Sequence, residues 1–271
     1  MKEPDIEGIG WTRPLEVCTI QPVLALGDVD SNLSRAEELV RSSTKEGPVD
    51  LFVLPEVFTT GFPYDRLPEL SKRSGEVLGC LSDIAEDLGS HLMFTQVVKE
   101  SGSYYNRCFV LGTDGKEVTS FDKTHLFFRA DEHLFFDKGD HLVHFDIHGA
   151  RIAPLICYEL RFPELSRRLV LEGSHILVYM GQWPRFRTFQ WDALLMARAI
   201  ENQCYVVASG SYGDHGDHRM GGHSRLISPF GNILGNVQDG GGYARATLDP
   251  KELIKFRKSI PVLKERRPDL Y

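Results

Sequence analysis

The sequence lacks the features of a membrane protein, a secreted protein and a nucleic-acid-binding protein. Its apolar stretches, such as residues 176–180, are far shorter than the ~18 residues of a membrane span, and residues 1–13 have no signal-peptide core. Its 31 basic residues are outnumbered by 38 acidic ones, so the net charge is −7 and no excess of cations is available for nucleic acid or an anionic membrane. We therefore expect a cytoplasmic protein without nucleic-acid or membrane partners.

Cysteine is scarce, with five in 271 residues and no two in a Cys-x-x-Cys pair. An odd number in a chain of this length is not a disulfide framework, so at least one thiol is free. Cys18, Cys108 and Cys204 lie within apolar, strand-like runs, and Cys80 lies on the apolar face of a helical pattern. A thiol in such a place packs as a small hydrophobe. Cys157 differs because it ends an apolar run.

The chain has neither an internal repeat nor a Gly/Pro-rich linker, so we predict one domain over residues 1–271. Apolar, β-branched runs predict strands at residues 17–20, 51–54, 92–98, 108–111, 151–157, 176–180 and 205–208. Apolar residues at helical spacing predict helices within residues 33–40, 80–88 and 191–198. This alternation predicts an α/β fold. Turn pairs at Asp114-Gly115 and Gly231-Asn232 predict hairpins and therefore mixed sheets.

Two predicted strands end in chemically reactive residues. Pro55 and Glu56 follow residues 51–54, and Cys157 ends the run of residues 151–157. Because clefts in α/β sheets form outside the carboxyl ends of strands, Cys157 stands where a nucleophile would stand. Lys123 is a third candidate because apolar residues flank it. Taken singly, a glutamate like Glu56 is more often a surface acid, and a lysine like Lys123 is more often a solvated one.

Together these three side chains form a chemical set. A thiol needs a base to become the thiolate that attacks a carbonyl, and the carbonyl oxygen needs a cation or an N–H group as its charge develops. An amine that leaves needs a proton. Cys157, Glu56 and Lys123 supply these functions without histidine, and their spacing puts them on separate elements. The set therefore fits a hydrolysis with a thiol nucleophile.

Around these residues the sequence resembles the nitrilase superfamily, the carbon-nitrogen hydrolases that use a Cys-Glu-Lys triad. The resemblance covers nearly the whole chain. Its blocks are Leu54-Pro-Glu56 with Gly61-Phe62, Asp122-Lys123-Thr-His-Leu126, and residues 157–164, 197–202 and 224–231. Within the superfamily, Arg129-Ala-Asp-Glu-His-Leu134 and Trp183-Pro184 look most like the omega-amidase branch, which hydrolyses 2-oxoglutaramate and 2-oxosuccinamate.

The resemblance implies a four-layer α/β/β/α sandwich with two mixed sheets. It also implies a homodimer or a higher homo-oligomer, in which the helix after Cys157 and the C-terminal tail, residues 255–271, form subunit contacts. The substrate would be a small-molecule amide, and neither a metal nor a cofactor would take part. These are expectations about architecture and partners.

The resemblance also implies roles for individual residues. Cys157 would be the nucleophile, and Glu56 the general base that takes its proton and later activates water. Lys123 and the backbone N–H of Tyr158 would hold the tetrahedral oxyanion. Glu132 matches the family's second glutamate, and it would hold Lys123, assist Glu56, or both.

Three features bear on substrate binding. Arg129 lies in a loop that we expect to face the pocket, where it would pair with a carboxylate; the alternative is a surface arginine. Trp183 would either wall the pocket or pack in the core. Gly210-Ser211 stands where many family members have an Asn-Arg pair, which indicates a wider or less cationic pocket.

Other classes of function are open at this point. His215, His218 and His223 lie close together in a Gly/Asp-rich loop, which would suit a metal-dependent hydrolase, although no strand or helix is expected to fix their geometry. A catalytically silent binding or scaffold member of the family is a second alternative. Among enzymes, another amidase, an N-carbamoyl amide hydrolase or a nitrilase would fit the same triad.

Overall fold

The computed structural model describes residues 10–216 and 218–270. In these residues the chain forms fourteen strands and seven α-helices. The strands are β1 (Leu15–Gln21), β2 (Leu51–Val53), β3 (His91–Glu100), β4 (Ser103–Leu111), β5 (Glu117–Asp122), β6 (Phe145–Ile147), β7 (Ala150–Ile156), β8 (Ile176–Gly181), β9 (Tyr205–Gly210), β10 (Tyr212–His215), β11 (His218–Gly221), β12 (Ser224–Ile227), β13 (Ile233–Val237) and β14 (Gly242–Leu248). The helices are α1 (Val29–Ser43), α2 (Leu67–Leu70), α3 (Ser74–Leu88), α4 (Glu132–Phe135), α5 (Pro163–Leu171), α6 (Thr188–Asn202) and α7 (Pro250–Ser259).

Twelve of these strands form two six-stranded sheets, in the orders β14-β1-β2-β3-β4-β5 and β13-β12-β9-β8-β7-β6. In the first sheet, β1, β2 and β3 are parallel, and the outer strands are antiparallel to their neighbours. The second sheet has the same pattern, with β7, β8 and β9 parallel and antiparallel strands on both sides. Both sheets are therefore mixed, as predicted.

The period of two along the strands explains how the sheets pack. Successive side chains of a strand point to opposite faces, and strands that are covered on both faces are apolar throughout. In β2, Val53 belongs to the cluster between the sheets, whereas Phe52 belongs to a cluster with helices. In β8, Val178 lies between the sheets and Leu177 faces helices. The two sheets therefore pack directly on each other.

Helices cover the outer face of each sheet. Ala36 and Val40 of α1 pack with the outward side chains of the first sheet. Trp191 and Leu195 of α6 pack with those of the second sheet. The layers are thus helix, sheet, sheet and helix, which confirms the predicted four-layer sandwich. Within the residues that the structure describes, no helix is long and apolar enough to cross a membrane.

Both predicted hairpins are present. Strands β4 and β5 pair as a hairpin around Asp114-Gly115, and β12 and β13 pair around Gly231-Asn232. Gly115 and Gly231 have φ of 71° and 87°. This left-handed region is accessible to glycine at little steric cost, which is why the turn pairs were informative.

Two local predictions are wrong. Cys80 is exposed, because the buried stripe of α3 runs through Val77, Leu81 and Ile84 and Cys80 lies at its solvent edge. The histidine-bearing segment does have a regular scaffold, since β10 and β11 form an antiparallel hairpin there. Residue spacing alone does not distinguish the centre of an apolar helix face from its edge. It also does not distinguish a short hairpin from a loop.

The C-terminal tail packs mainly on its own chain. Phe256 of α7 and Leu263 are buried, and the Phe256 ring centroid lies 4.3 Å from that of Phe230. Ile260 and Val262 remain exposed. These two apolar side chains are available for a subunit contact, so the predicted role of residues 255–271 stays a prediction; Tyr271 lies outside the described residues.

Candidate active site

Glu56, Lys123 and Cys157 meet where strands of the two sheets end. Glu56 follows β2 and Lys123 follows β5, both in the first sheet. Cys157 follows β7, a parallel strand of the second sheet. Because the sheets pack face to face, the ends of these strands lie together, as expected for a cleft at the carboxyl ends of strands. The geometry therefore brings the three side chains into one site.

Lys123 lies between two carboxylates. Its Nζ donates to Glu56 Oε1 at 2.7 Å and to Glu132 Oε1 and Oε2 at 2.7 and 2.9 Å. Burial by itself lowers the pKa of Lys123, but the attraction of Glu132 and Glu56 outweighs it and raises the pKa well above its usual value. The lysine is therefore a fixed cation at the base of the site.

The carboxylate of Glu56 is fully buried and held on both oxygens. Asn106 Nδ2 donates to Oε1 at 2.8 Å, beside the Lys123 ammonium. The backbone N–H of Gln182 donates to Oε2 at 3.1 Å. A buried carboxylate needs such partners, and their directions fix the plane in which it can accept a proton.

Glu132 is the first residue of α4 and fastens the other side of Lys123. Its Oε2 also accepts the backbone N–H of Phe127 at 2.7 Å. Burial raises the pKa of the Glu132 carboxyl, although the charge of Lys123 opposes this shift. These contacts put Glu132 against the lysine, and its role in catalysis stays a prediction.

Cys157 forms a sharp turn between β7 and the 3-10 helix of residues 157–161. Its φ of 46° lies in the left-handed region, and its thiol donates to the carbonyl oxygen of Gln182 at 3.7 Å. Burial raises the pKa of the thiol well above its usual value, and the negative charge of Glu56 raises it further, against the effect of Lys123. Burial and the adjacent carboxylate therefore both favour the neutral form of the thiol.

A cavity opens beside the thiol. Its lining is mostly apolar and aromatic with two arginines, and consists of Phe127, Cys157, Tyr158, Arg161, Gln182, Trp183, Pro184 and Arg187. Trp183 lines the cavity and also packs on Trp191, with 5.1 Å between the ring centroids. Tyr158 lines the cavity too, with its ring on Phe127.

The cations at the cavity are Arg161 and Arg187. The guanidinium of Arg161 lies over the Trp183 ring at 4.6 Å and donates to Gln190 Oε1 at 2.7 Å. Burial lowers the pKa of Arg161, and the like charge of Arg187 lowers it further. The lowered pKa means that the surroundings disfavour the positive charge of Arg161. Because both guanidinium groups nevertheless stay charged in proteins, an anion bound beside them would be stabilised.

Arg129 is placed elsewhere. It is exposed on the 3-10 helix Phe128–Ala130, and it does not line the cavity beside Cys157. The expectation that its loop turns this arginine toward the pocket therefore fails. The loop instead turns Phe127 inward and places Glu132 on Lys123.

Gly210 and Ser211 are buried in the sheet rather than in the cavity wall. A Cβ at Gly210 would lie 2.2 Å from the carbonyl oxygen of Gly222, so close packing of backbones requires glycine there. The backbone N–H of Gly210 bonds to Ser224 Oγ at 2.9 Å. These two positions therefore do not contribute to the cavity lining, and the cations of the cavity are Arg161 and Arg187.

The three histidines do not converge. His215 Nδ1 lies 2.7 Å from Gln182 Oε1, His223 Nδ1 lies 2.9 Å from Asp192 Oδ2, and His218 is exposed. In residues 10–216 and 218–270, no group of three His, Cys, Asp or Glu side chains is arranged to hold a metal ion.

The fold and the arrangement of thiol, buried carboxylate and buried cation are those that a hydrolase with a cysteine nucleophile would need. The family model described as "Carbon-nitrogen hydrolase" matches residues 17–258. The chain belongs to this family, and the protein is a carbon-nitrogen hydrolase of the amidase type.

The relatives narrow this placement. A 2-oxoglutaramate amidase of Bacillus subtilis (strain 168) is 34% identical over 263 residues, which cover 96% of this chain and 99% of the relative. The omega-amidase YafV of Escherichia coli (strain K12) is 34% identical over 91% of this chain and 94% of its own. The structure of Saccharomyces cerevisiae Nit3, a nitrilase-superfamily member, superposes with a TM-score of 0.87 at 26% identity, covering 95% of this chain and 98% of Nit3. The predicted resemblance to the omega-amidase branch of the nitrilase superfamily is confirmed.

Several residues of the site had not been identified from the sequence. Asn106 lies inside β4, and Gln182 lies just beyond β8, with no motif to mark either. Arg161 had a usable signal, since it lies four residues after Cys157 on the same short helix. Glu159 is fully buried on that helix, and its carboxylate accepts hydrogen bonds from both sheets. Arg187 follows Trp183 at the same spacing.

Proposed function

We propose that the protein is an omega-amidase that hydrolyses the terminal amide of a small mono-amide of a dicarboxylic acid, such as 2-oxoglutaramate or 2-oxosuccinamate, and releases ammonia. The observation that carries this proposal is the cavity, whose lining contains Cys157 together with two arginines, Arg161 and Arg187. Neither Arg161 nor Arg187 makes an ion pair with an Asp or Glu in the described part of the chain. A substrate carboxylate would supply the missing anion.

The first half of the reaction uses Glu56 as base. Its carboxylate takes the thiol proton while Cys157 Sγ forms a bond to the amide carbon, and the carbonyl electrons move to oxygen. Lys123 Nζ and the backbone N–H of Tyr158 stabilise that oxyanion; one such donor contributes about 3 kcal/mol. The raised pKa of the thiol explains why an adjacent base is needed at neutral pH.

The second half releases the two products. The oxyanion collapses, the carbon–nitrogen bond breaks, and Glu56 returns its proton to the nitrogen, which leaves as ammonia. Glu56 then takes a proton from water, whose oxygen attacks the thioester carbon. The carbon–sulfur bond breaks as Glu56 gives that proton to Cys157 Sγ, and the product acid is released. Glu132 keeps Lys123 in place throughout, because its two oxygens accept from the ammonium at 2.7 and 2.9 Å.

Substrate choice is proposed to depend on the two arginines of the cavity lining. Arg161 and Arg187 would bind the distal carboxylate, and Phe127, Trp183 and Pro184 would cover the carbon chain between carboxylate and amide. Planar guanidinium groups bind carboxylates in pairs of parallel hydrogen bonds.

Ammonia release from a panel of substrates tests the proposal. The panel contains 2-oxoglutaramate, pentanamide as an uncharged amide of equal length, N-carbamoyl-β-alanine and 3-cyanopropanoate. We expect kcat/KM for 2-oxoglutaramate to exceed that for pentanamide by about 100-fold or more, since each charge-assisted hydrogen bond contributes about 1.5–3 kcal/mol. The Cys157→Ala variant, with unchanged circular dichroism, is the blank.

Other members of the panel decide between the alternatives. Preferred turnover of the ureido acid would indicate an N-carbamoyl amide hydrolase, and preferred turnover of the cyano acid would indicate a nitrilase. Equal rates for 2-oxoglutaramate and pentanamide would contradict the proposal that Arg161 and Arg187 bind the substrate carboxylate. Full ammonia release by Cys157→Ala would refute the mechanism.

We also propose that residues 1–271 act as one domain and that the protein is a homodimer or a higher homo-oligomer. Exposed apolar side chains support this assembly: Phe189 and Ile200 on α6, and Ile260 and Val262 in the tail. Such side chains are covered in many subunit interfaces. Light scattering coupled to size-exclusion chromatography tests the proposal; a monomer at micromolar concentration would contradict it.

A further inference from the structure

Gln182 contacts both groups that would react. It follows β8 directly and is buried. Its backbone N–H donates to Glu56 Oε2 at 3.1 Å, and its carbonyl oxygen accepts from the Cys157 thiol at 3.7 Å. The main chain of a single residue therefore sets the relative position of the base and the nucleophile.

The side chain of Gln182 fixes that main chain from a second direction. Its Nε2 donates to the backbone carbonyl of Glu56 at 2.7 Å, so its Oε1 must point the other way. There Oε1 lies 2.7 Å from Nδ1 of His215. Because Oε1 can only accept, His215 must carry its proton on Nδ1.

His215 is built into this position. It is the last residue of β10 and is buried, and burial lowers its pKa to about 4. The ring is therefore neutral at pH 7, with one donor nitrogen. The hairpin of β10 and β11 thus presents a single N–H group to Gln182.

We propose that His215 is a positioning residue: through Gln182 it holds Glu56 and Cys157 in the geometry that proton transfer requires. This inference rests on the roles given to those two residues in the proposed function. His215 itself does not reach the reacting atoms. It acts by orienting the Gln182 amide, whose two ends bond to the hairpin and to the Glu56 main chain.

The position of the donor atom separates this proposal from simple packing. The amide of asparagine at position 215 places an N–H close to where Nδ1 lies, whereas the amide of glutamine places it near Nε2. We expect His215→Asn to retain at least about a third of the wild-type kcat. We expect His215→Gln and His215→Leu to lower kcat by about 10–100-fold with KM changed by less than about threefold, since small misplacements of catalytic groups have effects of this size.

Two controls accompany these variants. His218→Asn changes an exposed histidine on the neighbouring strand and should leave both kinetic constants as they are. Gln182→Met removes both side-chain bonds but keeps the backbone N–H, and its effect should not add to that of His215→Leu, because the two act through one contact. Thermal melts establish that every variant is folded.

A readout without substrate makes the positioning test independent of the proposed function. Alkylation of Cys157 by iodoacetamide, followed by peptide mass spectrometry to separate it from the exposed Cys80, gives a rate at each pH. Since the charge of Glu56 raises the pKa of the thiol, displacement of Glu56 should move this curve to lower pH. We expect that shift for His215→Leu and His215→Gln, and none for His215→Asn.

The outcomes are distinguishable. If no amide in the panel is hydrolysed but the alkylation curves shift as stated, the proposed function fails and the positioning role stands. If all three His215 variants behave alike, in kcat and in alkylation, the donor at Nδ1 has no role and this proposal is overturned.

Discussion

Glu159 and Thr124 are joined by two hydrogen bonds: Glu159 Oε1 accepts the backbone N–H of Thr124 at 2.8 Å and its hydroxyl at 2.6 Å. Oε2 of the same carboxylate accepts the backbone N–H of Ile156 at 2.7 Å. Thr124 follows Lys123, and Ile156 precedes Cys157. One fully buried carboxylate therefore ties the lysine-bearing segment of one sheet to the cysteine turn of the other.

Replacing Glu159 by Gln should separate these two segments. The amide keeps one acceptor and turns an NH2 group toward a backbone donor, which leaves a buried N–H without a partner. We expect a loss of about 2–3 kcal/mol in the free energy of unfolding, together with a lower kcat, measured by urea denaturation and ammonia release. Glu164→Gln, an exposed change on α5, is the control. Equal denaturation midpoints for the two variants would contradict the expectation.

Replacing Glu56 by Gln should change two measurements in opposite directions. Ammonia release should fall by about 100-fold or more, because the base is lost. Alkylation of Cys157 at pH 8 should become faster, since the negative charge of Glu56 contributes to raising the pKa of the thiol and its removal increases the thiolate fraction. Parallel assays with 2-oxoglutaramate and iodoacetamide measure both. A slower alkylation would show that Glu56 also deprotonates the thiol in the absence of substrate.

Replacing Arg161 or Arg187 by Gln should affect charged substrates selectively. For 2-oxoglutaramate we expect KM to rise by about 10–100-fold in each variant, as for the loss of a charge-assisted hydrogen bond. For pentanamide, which has no carboxylate, KM should change by less than about threefold. Arg129→Gln is the matched control, because Arg129 lies outside the cavity. A large rise of KM in that control would return Arg129 to the binding site.

Two glycine substitutions should differ in sign. Gly210→Ala would place its Cβ 2.2 Å from a backbone oxygen of Gly222, and we expect it to destabilise the protein by about 2 kcal/mol or more. Gly75 lies in α3 with nothing within 4 Å of an added Cβ, so Gly75→Ala should stabilise by about 0.5–1 kcal/mol. Differential scanning calorimetry compares both with wild type. A raised Tm for Gly210→Ala would show that the sheet yields there.

The sequence predicts what depends on local pattern. The unbroken apolar runs of residues 51–54 and 176–180 are typical of strands covered on both faces, and these strands do form the inner layers. Cys157 and Glu56 were found because each directly follows such a strand. These two residues lie close together because the carboxyl ends of their strands lie at the same edge of the sandwich.

Contacts that depend on packing between the two sheets could not be predicted from the sequence. Gln182 lies 126 residues from Glu56 along the chain, and only the stacking of the two sheets makes them neighbours. Glu159 gave no signal because a buried acid and an exposed one look alike in a sequence. Arg129 and Arg161 illustrate the same limit, since both flank catalytic residues and only the turn of the backbone decides which one reaches the cavity.

The left-handed backbone conformation of Cys157 lowers the stability of the fold at the position of the proposed nucleophile. A side chain with a Cβ in this region costs about 1–2 kcal/mol, a penalty that glycine avoids. Replacing the cysteine by glycine would therefore relieve the backbone while removing the thiol. At this position, greater thermal stability and the proposed turnover exclude each other.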